Sequence, residues 1–167
     1  SVTHSLHTEE NESGAGVVYA VGSDLSNRNF DNLNLQNAVF DKADLSNASF
    51  KNANIDGARF VFANLSYVDM SGRDLTGMIL AGADLSNAIL TNTTLKRANL
   101  IHSNLSNVDL SGVNIDGTIL IGAKLVGADL SGKDLTGILL KGADLSNANL
   151  AGVDLSGRDL TGTILTG

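Results

Sequence analysis

The stretch ADLSNASFKNANIDGARFVFANL, residues 43–65, sets the reading of the whole chain. Its large apolar residues, Leu45, Phe50, Ile55, Phe60 and Leu65, recur at every fifth position. The series continues both ways without a break. From Leu25 to Leu165 it covers 29 positions, and each is Leu, Phe, Ile or Met. Five is neither the helical period of 3.6 nor the strand period of 2. A helix would scatter these residues around its circumference, and a flat strand would alternate them between its faces. A chain that turns once per five residues keeps all of them on its inside.

The other slots of the five follow suit. Two residues before the centre lies an inner slot, mostly small, as at Ala43, Ala48, Ala53, Ala58 and Ala63. The preceding slot is Asp or Asn in 19 of 29 units, and the following slot is mostly Ser, Thr or another polar residue. Two after the centre comes Gly or Asn in 24 of 29 units. Those residues best tolerate the positive φ that a type II turn requires at its second central position. Each unit is therefore a short extended piece followed by a corner.

Longer copies set the number of units per coil. SYVDMSGRDLTGMILAGADLSNAIL (66–90) matches VGADLSGKDLTGILLKGADLSNANL (126–150) at an offset of 60, and YVDMSG at 67 matches NVDLSG at 107 at an offset of 40. Copies keep register when the offset is a whole number of coils, so 20 residues, or four units, make one coil. A third copy, SGRDLTGTIL at 156, stands 25 beyond the second and departs from that rule.

The unit A(D/N)LxN or A(D/N)LxG, as in ADLSN at 43–47, 83–87 and 143–147, resembles the pentapeptide repeat family. The likeness covers residues 23–167. It implies an all-β chain wound as a right-handed quadrilateral parallel β-helix of about seven four-sided coils, common among cyanobacterial proteins. In that fold the centre and the inner slot point inward and the other three slots outward. Residues 1–22 are then an N-terminal tail and cap ahead of the β-helix at 23–167. Val17, Val18, Tyr19 and Val21 are expected to close the top of the core, and residues 1–12 to be mobile. The C-terminal TILTG stops in register without a polar cap, an open edge that invites pairing with another chain.

Composition narrows the function. The 167 residues contain no Cys, so disulfides and Cys-ligated metals are excluded. A net charge of −7 argues against direct binding of nucleic acid through a basic face. No apolar run approaches a membrane span. The chain starts at Ser1 with no signal-peptide pattern. Export, to a periplasm or thylakoid lumen, is expected slightly ahead of a cytoplasmic location.

Enzymatic signals are nearly absent, and no catalytic residue, cofactor or metal is expected. His4 and His7 in HSLH read as a surface tail and not as a metal site. His102 falls on a corner. The many Asp residues read as partners in local turn hydrogen bonds and not as paired acid catalysts. One feature exceeds the repeat. On the face centred on 40, 60, 80, 100, 120 and 140, the preceding slots are Val39, Arg59, Ile79, Asn99, Ile119 and Leu139. The following slots are Asp41, Val61, Ala81, Ile101, Ile121 and Lys141, with Phe62 and His102 at its corner. Preceding-slot Asp is nearly confined to the other three faces, so three acidic faces and one apolar stripe are expected. The candidate interaction residues are Val61, Phe62, Ile79, Ala81, Ile101, Ile119, Ile121 and Leu139. Contiguous exposed apolar surface marks an interaction site.

The expectation is a non-catalytic structural or protein-interaction module, with an unidentified protein partner or self-association through the apolar face or the C-terminal edge. The family supplies an alternative, because some members imitate DNA and bind type II topoisomerases. One puzzle remains. Arg28, Arg73, Lys133 and Arg158 occupy inner slots whose neighbours one coil away offer no acid. Their charged heads are expected to leave the core at the corner, with the stem against the wall, while the non-alanine residue in the next inner slot (Leu33, Met78, Ile138 or Thr163) fills the space.

Overall fold

A computed structural model of the protein describes residues 7–10 and 16–167. Strand β1 (His7–Glu10) pairs antiparallel with β2 (Gly16–Tyr19), so part of the segment expected to be mobile is paired backbone. From there the chain winds as a right-handed quadrilateral β-helix. Outside the hairpin there are 21 parallel bridges, and every one joins residues 20 apart, from Tyr19 to Val39 through to Asp144 to Ile164. The four-unit coil is thus the coil of the structure. The third SGRDLTG copy stands at one coil plus one unit and lies on the next face round.

Hydrogen bonding explains why each slot has its residue type, because every backbone N–H needs a partner. The centre donates to the carbonyl 19 residues on (Leu25 to Asp44, 2.8 Å), and so does the corner (Asn27 to Ser46, 2.8 Å). The preceding slot donates back to the inner slot of the coil before (Asp44 to Ser23, 2.9 Å). The inner slot closes the turn onto the previous centre (Ala38 to Leu35, 3.0 Å). That leaves the N–H of the following slot. It donates to Oδ1 of the Asp or Asn two residues earlier, and all 19 such side chains accept it. Where that slot is Ser49 or Arg59, an Asp one coil earlier substitutes: Asp31 accepts from Lys51 N–H (2.9 Å) and Asp41 from Val61 N–H (3.1 Å).

The centres from Leu25 to Leu145 are buried, with the alanines of the inner slot between them. Near the top the core is aromatic. Phe30 stacks on Phe50 (5.0 Å) and Phe40 on Phe60 (5.4 Å), and edge contacts of 5.8–6.2 Å tie the two columns together. The ladder begins one unit earlier than the series of large centres. Val39 N–H donates to Val18 O, and Ala20 sits buried in the centre position. Val17 and Val18 are both buried and Val18 joins the core, but Tyr19 and Val21 do not close it. They occupy the preceding and following slots of that unit and project outward, 40% and 58% exposed. At the other end Leu150, Leu155 and Leu160 are half-buried and Leu165 is exposed.

Candidate interaction face

The face predicted to be apolar is a single sheet wall. Tyr19, Val39, Arg59, Ile79, Asn99, Ile119 and Leu139 form one unbroken column of parallel bridges. Asp41, Val61, Ala81, Ile101, Ile121 and Lys141 form the second column, aligned through N–H bonds from the corners to their carbonyls (Phe62 to Ala81 and His102 to Ile121, both 2.9 Å). All eight predicted residues therefore lie on or beside one wall. Phe62, Ile79 and Leu139 are exposed, and Val61, Ala81, Ile101, Ile119 and Ile121 are half-buried by neighbours above and below. The sequence reading missed Tyr19 and Val21, which extend both columns upward. The signal was available, since VYAVG at 18–22 fits the slot pattern once alanine is accepted as a centre.

Corners frame this wall. Below Phe62 one edge is Gly82, His102, Gly122 and Gly142, and the opposite edge includes Gly77, Arg97, Gly117 and Gly137. Lys42, Phe62, Tyr67, Arg97 and His102 all hold a left-handed backbone (φ 56–61°) where most units use Gly or Asn. Phe62 and His102 lean one coil down. Their rings lie where a Cβ on Gly82 or Gly122 would stand, within 2.4 Å and 2.3 Å of it. A large side chain above and a glycine below share one corner.

Charge separates the walls. The wall and its corners carry Lys42, Arg59, Arg97 and Lys141 against Asp41 and Asp159, a net +2. Each of the other three walls is net negative: Asp24, Asp44, Asp84 and Asp144 against Lys124; Asp31, Asp69, Asp109 and Asp129 against Lys51; and Asp56, Asp74, Asp116, Asp134 and Asp154 against Lys96. Within the apolar wall Arg59 pairs with Asp41 at 3.1 Å. The acids of the preceding slot serve as turn partners. Ser or Thr two residues on donates to Asp74, Asp129, Asp134, Asp144, Asp154 and Asp159, which holds each carboxyl below its usual range. Among the described residues, no group of three His, Asp or Glu is placed to hold a metal. His4 lies outside the described residues. No helix among them is long and apolar enough to cross a membrane.

The inward charges behave differently from expectation. Arg28, Arg73, Lys133 and Arg158 are half-buried. The Arg73 and Lys133 heads do not simply emerge at the corner. Arg73 Nη1 donates to Ala53 O at 3.0 Å, and Lys133 Nζ donates to Val113 O. Each reaches the inner-slot carbonyl one coil earlier, a neighbour that residue types alone do not reveal as an acceptor. That carbonyl would ordinarily bind the N–H of Asp74 or Asp134. Among the described residues no backbone hydrogen bond joins 53–57 to 73–77, or 113–117 to 133–137. Beneath Arg158 the step from 138–142 to 158–162 keeps only Gly142 to Thr161. Arg73 and Arg158 each bury an Nε without a partner. Burial pushes the Lys133 ammonium down, with Asp116 and Asp109 pulling the other way. Of the residues expected to fill the next inner position, Met78 and Ile138 are buried and Thr163 is half-buried, but Leu33 after Arg28 is 44% exposed and does not fill it. The step from 88–92 to 108–112 is also unbonded, with no inner-slot cation beside it, and nothing in the structure explains that gap.

Clefts lie along some of these steps and along the step from 133–137 to 153–157, which is also unbonded. A cleft of about 110 Å³ lies between Gly57–Ala58 and Thr76–Ile79. One of about 270 Å³ is lined by Lys133, Asp134, Asp154 and Arg158, and one of about 300 Å³ by Ile121, Leu139, Lys141 and Arg158.

The geometry is that of a repeat solenoid whose chemistry lies on its walls. The chain belongs to the pentapeptide repeat family: residues 23–100 match the pentapeptide repeat region, and 95–132 and 134–167 match the pentapeptide repeats in 8 copies. No curated protein matches the chain. Solved structures do. QnrB1, a plasmid-mediated fluoroquinolone resistance protein, is 19% identical over 89% of this chain and 90% of its own, with a TM-score of 0.55. HetL, a pentapeptide repeat protein involved in heterocyst differentiation regulation in the cyanobacterium Nostoc, is 22% identical over 88% of this chain and 90% of its own (TM-score 0.41). A pentapeptide repeat protein from the Arabidopsis thaliana thylakoid lumen is 26% identical over 78% of this chain and 70% of its own (TM-score 0.31). At these identities the likeness is one of fold.

Proposed function

We propose that the protein is a non-catalytic interaction module that binds a protein partner through the wall bearing Ile79, Ile101, Ile119, Ile121 and Leu139. One observation carries this reading: most of the outward aliphatic side chains, including Val61, Ile79, Ile101, Ile119, Ile121 and Leu139, gather in the two columns of a single wall, while the same slots on the others are mostly polar, with Ile89 and Ile164 as exceptions. Strand propensity alone would spread them over all four walls. The test is affinity capture from the native host with the wild type and with Ile101→Glu/Ile121→Glu. Partners held by the wild type and lost by a double variant of unchanged melting temperature support the reading. Identical sets of bound proteins from the two baits reject it.

A second reading has an observation of its own in the three acidic walls. An acidic rod imitating DNA would inhibit a type II topoisomerase. Duplex DNA carries a charge per ~1.7 Å, or about 20 over a rod of roughly seven coils at ~4.8 Å each. The net −7 of this chain is about a third of that. Gyrase supercoiling that continues undisturbed at micromolar concentrations of the protein rejects this reading.

A further inference from the structure

We propose that the cleft of about 300 Å³ between residues 137–141 and 157–159 binds a small aliphatic carboxylate, with its head on Arg158 and its chain along Ile121 and Leu139. The cleft opens between two coils, so its occupant is separate from any protein that the outer surface of the wall binds.

Unpaired donors mark the site. Down the wall centred on 40, each centre from Ala20 to Leu120 donates its N–H to the carbonyl 19 residues on. Leu140 breaks the series. Among the described residues its N–H has no acceptor, and neither has the N–H of Asp159 across the gap. The ladder directs the first down the rod and the second up it, so both face the step where the cleft lies. Arg158 supplies a third donor. Arg73 and Lys133 end on backbone carbonyls, but Arg158 forms neither a hydrogen bond nor an ion pair among the described residues, and its Nε is buried. A buried donor left unpaired costs more than an average hydrogen bond gains, so it points to an acceptor that belongs beside it. The carbonyls of Ile138 and Asp159 lose their ladder partners at the same step and are left to water.

Charge selects the sign of the ligand. Lys141 and Arg158 line the cleft against one acid, Asp159, a net +1. Asp159 is already engaged: its Oδ1 accepts Thr161 N–H at 3.0 Å, and the Lys141 ammonium helps to hold its carboxyl in the charged form. Arg158 is left as the cation of this cleft without a counter-ion. The neighbouring cleft shares Arg158, but there Lys133 and Arg158 meet Asp134 and Asp154 and the sum is zero. An anion therefore favours the first cleft. A guanidinium pairs with a carboxylate through two parallel N–H bonds.

Shape selects the rest of the ligand. Ile121, Ile138, Leu139 and Leu140 form the apolar part of the lining. A volume of about 300 Å³ is at the lower end of the ~300–1,000 Å³ of small-molecule pockets, so the chain is short.

The experiment titrates octanoate into the isotope-labelled full chain and follows its backbone amide signals. Saturable shifts are expected at Leu140 and Asp159. Butanoate, hexanoate and octanoate are expected to bind in increasing order, by about fourfold for each added methylene until the cleft is filled. Octylammonium, with the same chain and the opposite charge, is expected not to bind. Arg158→Gln is expected to weaken octanoate by about 10-fold or more, whereas Arg73→Gln, in another cleft, leaves it unchanged. Should Arg158→Gln fail to fold, Leu139→Asp, at an exposed position on the cleft, is expected to abolish binding in its place. No saturable shift at about 10 mM octanoate, equal binding of octylammonium, or full affinity in a folded Arg158→Gln or Leu139→Asp protein overturns the proposal.

Discussion

At the scale of the residue, the corner position decides more than its small side chain suggests. Gly82 and Gly132 share a φ of 68°. Alanine at either takes on the left-handed penalty of about 1–2 kcal/mol. Nothing lies near a Cβ on Gly132, whereas the Phe62 ring lies within 2.4 Å of one on Gly82. Gly82→Ala is expected to lower stability by about 1 kcal/mol more than Gly132→Ala, as for other overpacked sites. The difference should disappear when Phe62→Ala is combined with both. Urea melts of the four proteins check this, and equal penalties with Phe62 present would contradict the packing.

The turn-capping carboxylates make a second residue-scale prediction. Their folded values lie below the ordinary 3.8 because Ser or Thr donates to the charged form. A depressed carboxyl contributes stability that is present above its unfolded value and lost as pH falls through the folded one. The melting temperature is therefore expected to be level from about pH 5 to 7 and to drop below about pH 3.8. Asn fills the same slot at Asn64 and Asn104 with the same bond. Replacing Asp74, Asp129, Asp134 and Asp144 by Asn should therefore flatten the acid side of the profile and leave the fold intact. An unchanged acid limb in that variant would remove these caps as its cause.

At the scale of the element, the SG(R/K)DLTG copies at 71 and 131 open the wall they belong to: Arg73 and Lys133 each take the carbonyl that the next coil would use, and no ladder bond forms at that step. The amides of Ile55, Gly57 and Asp74 face the gap at Arg73, whereas Leu35, Asn37 and Asn54 one coil earlier are fully laddered. Hydrogen exchange is expected to be faster at the first three. Arg73→Ala frees Ala53 O and removes a buried Nε with no partner, a group that costs about 1–3 kcal/mol to leave unpaired. It should slow exchange at Asp74 and raise stability. Unaltered exchange in that variant would mean the gap has another cause, as it does at Ile89–Asp109.

At the scale of the whole molecule, three negative walls surround one apolar, mildly positive wall. Like charges along the rod repel at low ionic strength and are screened within about 8 Å at physiological salt, against about 30 Å at 0.01 M. Raising salt from 10 to 150 mM is expected to raise the melting temperature by a few degrees. A flat response would show that local pairs such as Lys51–Asp69 (3.6 Å) already neutralise the field.

The amino-acid sequence by itself determined the period, the coil of 20, the inward and outward slots, and the gathering of Ile79, Ile101, Ile119, Ile121 and Leu139 on one wall. It could do so because a turn every five residues forces the direction of each side chain, so position alone assigns the face. Tertiary structure alone decided three other matters. It showed that Ala20 is a centre, because alanine is not among the large residues that mark the period, and the bonds joining Val18 and Ala20 to Val39 place a unit above them. It turned Tyr19 and Val21 outward for the same reason. And it turned the heads of Arg73 and Lys133 onto Ala53 O and Val113 O. Every residue carries the same carbonyl, so no pattern of side chains can say which one a long cation will reach. That depends on which backbone lies one coil away.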